Sequence, residues 1–167
     1  MTVAIEGGRF TRITPSKVSI AQAQRIDGTG KALIPGLIDA HKHIMNNGGD
    51  HMAVGLTPRG VFDNLATMLR GGVTTILDLG SADIIHVLRH APVVRPRSHT
   101  AISIVTNPGG YPAEYMPRRF YRMGAVRECQ SPAQIRRTVR RLARVGVSAI
   151  KTAVVSRTFD GKPVRGW

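Results

Sequence analysis

Apolar runs of strand length alternate with segments of helical periodicity along most of the chain, from Lys31 onward. The pattern predicts four strands, at residues 33–40, 73–79, 100–106 and 147–155. The run at residues 73–79 is nearly continuous, which is typical of a parallel strand that is buried on both faces. Because helical segments lie between the strands, the pattern indicates an α/β fold with a parallel sheet.

Three segments between these strands carry helix signals. Thr57 and Pro58 predict a helix start, and Leu69 is the last of a series of apolar residues on one face of that helix. Ser131 and Pro132 predict a second helix start, and the helix is expected to end at Gly146. A short helix is also predicted at residues 82–90.

The first 30 residues follow a different pattern, in which short β-prone pieces are separated by turns. Strands are predicted at residues 3–5, 10–13 and 18–20, with Gly7 and Gly8 in the first turn. A small antiparallel unit of this size is short for an independent domain. The predicted organisation is therefore a small first unit, residues 1–34, that precedes the β/α region, residues 35–167.

Four successive β/α units are the pattern of either a doubly wound sheet or a (β/α)8 barrel. The chain has 167 residues, whereas a complete barrel takes about 250. If the fold is a barrel, the chain is expected to contain about its first four β/α units.

The chain carries 24 Lys and Arg against 10 Asp and Glu, a formal net charge of +14. Such an excess is a reason to consider nucleic acid as a partner. Five of the arginines fall opposite the apolar stripe of the helix after Ser131, where a solvated outer face is the plain interpretation. They are Arg136, Arg137, Arg140, Arg141 and Arg144. No aromatic residue lies among them to stack on bases, which makes nucleic acid a weak hypothesis, but the charge leaves a polyanionic partner open.

No run of roughly 18 apolar residues and no signal-peptide pattern is present, so we expect a soluble, cytoplasmic protein without a membrane partner. Cys129 is the single cysteine and has no partner for an internal disulfide.

His41 and His43 follow the first predicted apolar run. Residues i and i+2 of a strand share a face, so the two imidazoles are expected to project side by side while Lys42 points the opposite way. Two neutral imidazoles in this arrangement are able to share one divalent metal ion. The carboxyl end of a parallel strand is also where barrels and open α/β sheets place their sites.

The segments at residues 30–43, 71–80 and 106–110 are informative as a set. Together they resemble the metal-dependent amidohydrolase superfamily, particularly its imidazolonepropionase-like and dipeptidase-like branches. Residues 30–43, GKALIPGLIDAHKH, are similar to the first barrel strand of that family nearly position for position. Residues 71–80, GGVTTILDLG, resemble its second strand, and residues 106–110 resemble the Gly-Gly turn after its third. The resemblance implies a TIM-type (β/α)8 barrel, of which residues 35–167 would be the first half, and a partial N-terminal β-sandwich at residues 1–34.

The resemblance also implies a metal site. His41 and His43 would bind a divalent metal, expected to be Zn²⁺, in a centre with one or two ions. Residues 146–151 resemble a fourth strand that ends in a lysine, and in related enzymes this lysine is carboxylated by carbon dioxide and bridges two metals. Lys151 is thus the third predicted ligand, while Asp78 and His51 are candidates for supporting the site.

The expected activity is hydrolysis of an amide or cyclic-amide C–N bond of a small molecule by a metal-activated water. In the family, later strands bring further histidines and an aspartate that acts as general base, and the sequence after residue 155 has no residues for them. The catalytic base therefore has no candidate, and we expect a truncated chain that exposes unpaired strand edges and that aggregates, dimerises or is marginally stable. The alternative hypothesis is an inactive amidohydrolase-like fragment, or a basic protein that binds polyanions.

Overall fold

The structure is a computed structural model that describes residues 1–45, 57–83, 93–113, 116–158 and 161–163. The chain divides into two compact units, Met1–Ile34 and Pro35–Trp167. The division falls at the predicted boundary, while the β-sandwich character of the first unit stays a prediction.

The first unit contains an antiparallel hairpin. Strand β1 (Thr2–Glu6) pairs with β2 (Arg9–Thr14), and the turn between them uses Gly7 and Gly8, whose φ angles are 56° and 75°. The third strand predicted here, at residues 18–20, was wrong, because these residues form no ladder. A strand needs a neighbour for its N–H and C=O groups, and an apolar pattern alone does not provide one.

The second unit contains two parallel sheets, each with three strands among the described residues. The first sheet has the order β3-β4-β5 and is formed by β3 (Leu37–Lys42), β4 (Val73–Asp78) and β5 (Arg97–Thr100). The second sheet has the order β7-β6-β8 and is formed by β6 (Ile104–Thr106), β7 (Val126–Glu128) and β8 (Lys151–Ala153). Parallel sheets with intervening helices confirm the predicted α/β class; closure into a barrel stays a prediction.

Two predicted helices begin and end close to where the sequence places them. Helix α1 (Pro58–Arg70) begins after Thr57, whose Oγ1 accepts the N–H of Gly60 at 3.1 Å. Helix α3 (Pro132–Val145) begins after Ser131 and ends at Gly146, whose φ of 83° is the left-handed conformation that glycine adopts without strain. A short helix, α2 (Arg118–Arg122), and strand β7 were not predicted. Of the predicted helix at residues 82–90, Ala82 is not helical, with φ at 88°, and residues 84–90 lie outside the described part.

The third predicted strand, residues 100–106, is interrupted and contributes to both sheets as β5 and β6. The interruption occurs at Ile102, which has a φ of 61°. Its N–H donates to Thr100 Oγ1 at 2.8 Å, and its carbonyl oxygen accepts the N–H groups of Ser81 and Ala82 at 3.1 Å each. These bonds satisfy the backbone of Ile102 outside a ladder, which is why the strand breaks there.

The first and fourth predicted strands also differ from the observed ones. β3 begins at Leu37 rather than residue 33, after Pro35, which has no N–H to donate to a ladder. β8 covers only Lys151–Ala153 of the predicted residues 147–155. Earlier in that segment, the N–H of Ser148 donates to the carbonyl oxygen of Thr100 at 2.8 Å, so the chain approaches β5 before β8 begins.

Three groups of buried apolar side chains pack the second unit. The first group joins β3, α1 and β4 and consists of Ile44, Val61, Leu65 and Ile76. The second group surrounds α2 and consists of Met45, Ala82, Phe120, Ala125 and Val126. The third group lies under α3 and consists of Ile102, Val105, Cys129 and Leu142. Among the described residues, no helix is long and apolar enough to cross a membrane.

Candidate metal centre

The two predicted histidine ligands lie beside each other at the end of β3. His41 is exposed and is the second-to-last residue of β3, and His43 is half-buried and follows β3 directly. Their ring centroids are 5.6 Å apart, and the ring planes are inclined by 56°. The alternation of side chains along the strand therefore brings the two imidazoles to the same face.

A hydrogen bond selects the tautomer of the His43 ring. Its Nδ1 lies 2.7 Å from the carbonyl oxygen of Gly80. Because a carbonyl oxygen only accepts, Nδ1 carries the hydrogen, so that in the neutral form of the ring Nε2 has the free lone pair. An outer partner of this type is the usual support of a metal-binding histidine. The ring of His41 makes no hydrogen bond with the described residues.

Gly80 is suited to this contact because of its backbone. Its φ is 116°, and a Cβ at this position would lie 2.5 Å from Cγ1 of Ile104. Any larger residue would be strained and would displace either Ile104 or the carbonyl group that His43 contacts.

Asp78, at the end of β4, is fully buried, and its carboxylate accepts three hydrogen bonds from the described residues. Its Oδ1 accepts the N–H of Ile44 at 3.2 Å and the hydroxyl of Ser81, and its Oδ2 accepts the hydroxyl of Thr100 at 2.8 Å. Burial raises the pKa of Asp78, and the three hydrogen bonds, together with the positive charge that His43 carries when it is protonated, oppose that shift. Both carboxylate oxygens are already bonded within the protein, and one of them accepts the backbone N–H of Ile44, the residue after His43.

Lys151 is the first residue of β8, whereas the predicted role requires it at the end of a strand. It is half-buried, and its backbone pairs with Ile104 of β6. Its ammonium group makes no hydrogen bond or ion pair with the described residues, including His41 and His43. The structure thus brings the two histidines together and leaves the lysine without a polar contact to them.

His51 lies outside the described residues. Within the described part, no group of three or more His, Cys, Asp and Glu side chains is arranged to hold a metal ion. The His41–His43 pair fits a divalent cation as two nitrogen ligands of a larger set. A groove of about 330 Å³ beside β7 and α3 is lined by neither histidine nor by Lys151.

The sequence analysis missed the residues that hold His43 in place. The contact from Gly80 is made by a backbone carbonyl, which no residue-type motif reveals. Ser81 and Thr100 are ordinary hydroxyl residues whose bonds to Asp78 form only when β3, β4 and β5 are assembled. The available signal was the glycine at position 80, directly after an apolar strand.

Comparison with known proteins supports the resemblance found in the sequence. No family model matches the chain. A dihydroorotase of Listeria welshimeri is 34% identical over 77 residues, which are 46% of this chain and 16% of that protein. An enamidase of Eubacterium barkeri is 34% identical over 83 residues, which are 48% of this chain and 20% of that protein.

Among solved structures, a prolidase complexed with N-methylphosphonate-L-proline matches with a TM-score of 0.75 and 26% identity. The match covers 96% of this chain and 43% of the prolidase, so the chain spans less than half the length of the proteins it resembles. These similarities support the amidohydrolase superfamily for the part of its members' length that the chain spans.

Proposed function

We propose that this chain is the part of a metal-dependent hydrolase that carries the first metal ligands, and that the enzyme cleaves amide or cyclic-amide C–N bonds of small molecules. The observation that carries the proposal is the His41–His43 pair, with Nδ1 of His43 bound to the carbonyl oxygen of Gly80. The names of the relatives, dihydroorotase and enamidase, support the reaction class.

His41 and His43 would hold a divalent cation, for which Zn²⁺ is the first candidate because it accepts imidazole nitrogen. Such a cation supplies a Lewis acid for the scissile carbonyl and lowers the pKa of a bound water. The contribution of this chain is to present neutral imidazole nitrogens in a fixed direction, which His43 does through its bond to Gly80. His51 is a further candidate for the lining of the site.

Lys151 is proposed as a second kind of ligand, in the form of a carbamate. A deprotonated amine attacks carbon dioxide to form the N–C bond and loses a proton, which leaves an anionic oxygen ligand. Within the described residues the Lys151 amine forms no ion pair that would compete with this reaction. The carbamate would be tested by mass spectrometry under carbon dioxide and by loss of bound metal in Lys151→Ala.

The test of the metal site is elemental analysis of the purified chain and of two single variants, His41→Ala and His43→Ala. Each variant is expected to lose most of the bound divalent metal, because two ligands from one strand act together. His99→Ala is the matched control, since His99 is exposed on β5 and its Nδ1 lies 3.3 Å from the hydroxyl of Ser148. Equal metal content in all four proteins would contradict the proposal.

The reaction class is tested separately, by following the hydrolysis of a panel of linear and cyclic amides by the longest chain that contains these residues. Turnover is expected to depend on His41 and His43 and to disappear when a chelator removes the metal. Hydrolysis that survives both the chelator and the His43→Ala substitution would contradict a metal-dependent mechanism.

A second candidate function, binding of a polyanion, is favoured by the outer face of α3. Its five arginines are exposed and form no ion pair with the described residues. The sequence of α3 contains no acidic residue. A polyanion would therefore meet a surface on which no local carboxylate competes.

Retention on immobilised heparin as a function of salt tests this candidate. One triple variant changes Arg136, Arg140 and Arg144 to Gln on α3. The matched triple variant changes the exposed residues Arg9, Arg12 and Arg25, so that both lose the same charge. A salt-dependent loss of retention confined to the α3 variant would favour polyanion binding, whereas equal losses would indicate a response to net charge alone.

A further inference from the structure

The residues at and just after the end of β3 are bonded to those at and just after the end of β4 by three successive hydrogen bonds. The N–H of Leu79 donates to the carbonyl oxygen of Lys42 at 2.8 Å. Nδ1 of His43 donates to the carbonyl oxygen of Gly80 at 2.7 Å. The N–H of Ile44 donates to Asp78 Oδ1 at 3.2 Å. His43 therefore lies between two backbone anchors.

Asp78 is the centre of this arrangement because it also holds the neighbouring elements. The hydroxyls of Ser81 and Thr100 both donate to its carboxylate, and the N–H of Ile102 donates to Thr100 Oγ1. The carbonyl oxygen of Ile44 accepts a bond from Asn64 Nδ2 of α1 at 2.9 Å. The segment that carries His43 is thus tied to β4, β5 and α1 through bonds that meet at or beside one carboxylate.

We infer that Asp78 is a positioning residue for His43: it holds the backbone at Ile44 so that the His43 ring keeps its bond to Gly80 and points Nε2 at the metal. The inference rests on the proposed metal centre for its functional meaning. Asp78 would act only through His43, because its carboxylate is fully buried and bonded at both oxygens.

By holding this backbone in place, Asp78 would keep the His43 ring in a single tautomer. A free neutral imidazole populates both tautomers, and only the form with hydrogen on Nδ1 leaves Nε2 available as a ligand. Loss of Asp78 would release Ile44, widen the distance from His43 to Gly80 and allow the ring to rotate or exchange its hydrogen. Loss of such outer support typically lowers metal affinity about 10- to 100-fold.

The experiment uses the full chain without metal, labelled with ¹⁵N in histidine, and records proton–nitrogen correlations of the imidazoles. The His43 signals are assigned by their absence in His43→Ala. The wild-type ring is expected to show a single tautomer with hydrogen on Nδ1, and the Asp78→Ala ring a mixture of tautomers. Titration with Zn²⁺ alone is expected to show about tenfold weaker binding for Asp78→Ala.

A merely structural role for Asp78 is separated by two further comparisons. Leu142→Ala destabilises the group of core residues under α3, whose connection to Asp78 runs only through Ile102 and Thr100 among the described residues, and is expected to keep the wild-type tautomer and Zn²⁺ affinity. Thr100→Val removes one donor to Asp78, whereas Thr100→Ser keeps it, so the valine variant is expected to show the mixed tautomers and the serine variant to restore the single one. This pair also carries the test if Asp78→Ala does not fold.

A single Nδ1–H tautomer and unchanged Zn²⁺ affinity in Asp78→Ala, or in Thr100→Val where that pair is used, would overturn the inference. A wild-type chain that binds no Zn²⁺ but loses its single tautomer in Asp78→Ala would contradict the proposed metal centre and still support the positioning role. The two failures are therefore distinguishable.

Discussion

The two parallel sheets of the second unit present their candidate ligands in different ways. In the first sheet, His43 is anchored to Gly80, and the adjoining backbone is anchored to the buried carboxylate of Asp78. In the second sheet, Lys151 begins a strand of three residues, and its amine makes no polar contact with the described residues. The comparison teaches that His43 is fixed in place by hydrogen bonds, whereas the amine of Lys151 has no polar contact with the described residues that would fix it.

The largest expected effect comes from Gly80, where the fold of the first sheet and the support of His43 coincide. Gly80→Ala places a Cβ 2.5 Å from Ile104 in a backbone conformation with φ of 116°. Strain and crowding together are expected to lower the free energy of unfolding by about 3 to 5 kcal/mol, as measured by urea denaturation.

Gly72→Ala is the matched control for this prediction. Gly72 also has a positive φ, 86°, but a Cβ there would meet no atom within 4 Å. Its expected cost is about 1 kcal/mol, from backbone strain alone. Equal costs at the two positions would mean that the contact with Ile104 yields freely and that Gly80 is not held in place.

The next prediction concerns truncation of a buried leucine in the apolar core beside each sheet. Leu65 of α1 and Leu142 of α3 are both buried, the first in the group with Ile44 and the second under α3. Truncation of either leucine to alanine is expected to cost about 3 kcal/mol in urea denaturation. Only Leu65→Ala is also expected to change the imidazole spectrum of His43, because Ile44 follows His43 directly. A spectral change of equal size in Leu142→Ala would mean that the two sheets are not independent supports.

Helices α1 and α3 were predictable because their signals are local. Thr57 and Ser131 cap the two helices through bonds to the third residue after each of them, and Pro follows each cap. The histidine pair was predictable for a similar reason, since the alternation of a strand fixes which side chains share a face.

The interruption at Ile102 was not predictable from its own segment, which reads as one apolar strand. The break depends on Thr100, whose hydroxyl is positioned by Asp78 from a different strand. Strand β7 has a related origin, because Val126 and its neighbours pair with β6, which exists as a separate strand only after that break. Non-local hydrogen bonds therefore decided the features that periodicity missed.

A smaller effect is expected in the pH dependence of stability, because the hydrogen bonds to Asp78 offset part of the rise in its pKa that burial causes. Burial raises the folded-state pKa of Asp78 above its ordinary value of 3.8. Between these two pKa values the folded protein binds more protons than the unfolded chain, so the free energy of unfolding falls as the pH rises through that window. Asp78→Asn removes this contribution.

The difference in unfolding free energy between wild type and Asp78→Asn is therefore expected to decrease with rising pH and to become constant above the folded-state pKa. Urea denaturation at a series of pH values measures it. Leu142→Ala is the control, since it lowers stability without touching Asp78 and is expected to run parallel to the wild type. A difference that grows with rising pH would show that hydrogen bonding outweighs burial at Asp78.

The smallest effects are expected at the helix caps, which again differ between the two sheets. Thr57 caps α1 by one bond, from the N–H of Gly60, whereas two side chains form bonds at the start of α3. Ser131 Oγ accepts the N–H of Gln134, and Gln134 Oε1 accepts the N–H of Gln130 at 2.6 Å. Loss of either hydroxyl, in Thr57→Ala or Ser131→Ala, is expected to cost about 1 kcal/mol in thermal or urea unfolding. Gln134→Ala is expected to lower the free energy of unfolding by only a few tenths of a kcal/mol, because its partner Gln130 is exposed and its N–H then binds water.

Amide hydrogen exchange distinguishes the two helices. Thr57→Ala is expected to speed exchange in α1 and at Ile44, whereas Ser131→Ala is expected to speed exchange in α3 alone. Faster exchange at Ile44 in Ser131→Ala would show that the anchoring of His43 depends on both sheets rather than on the first.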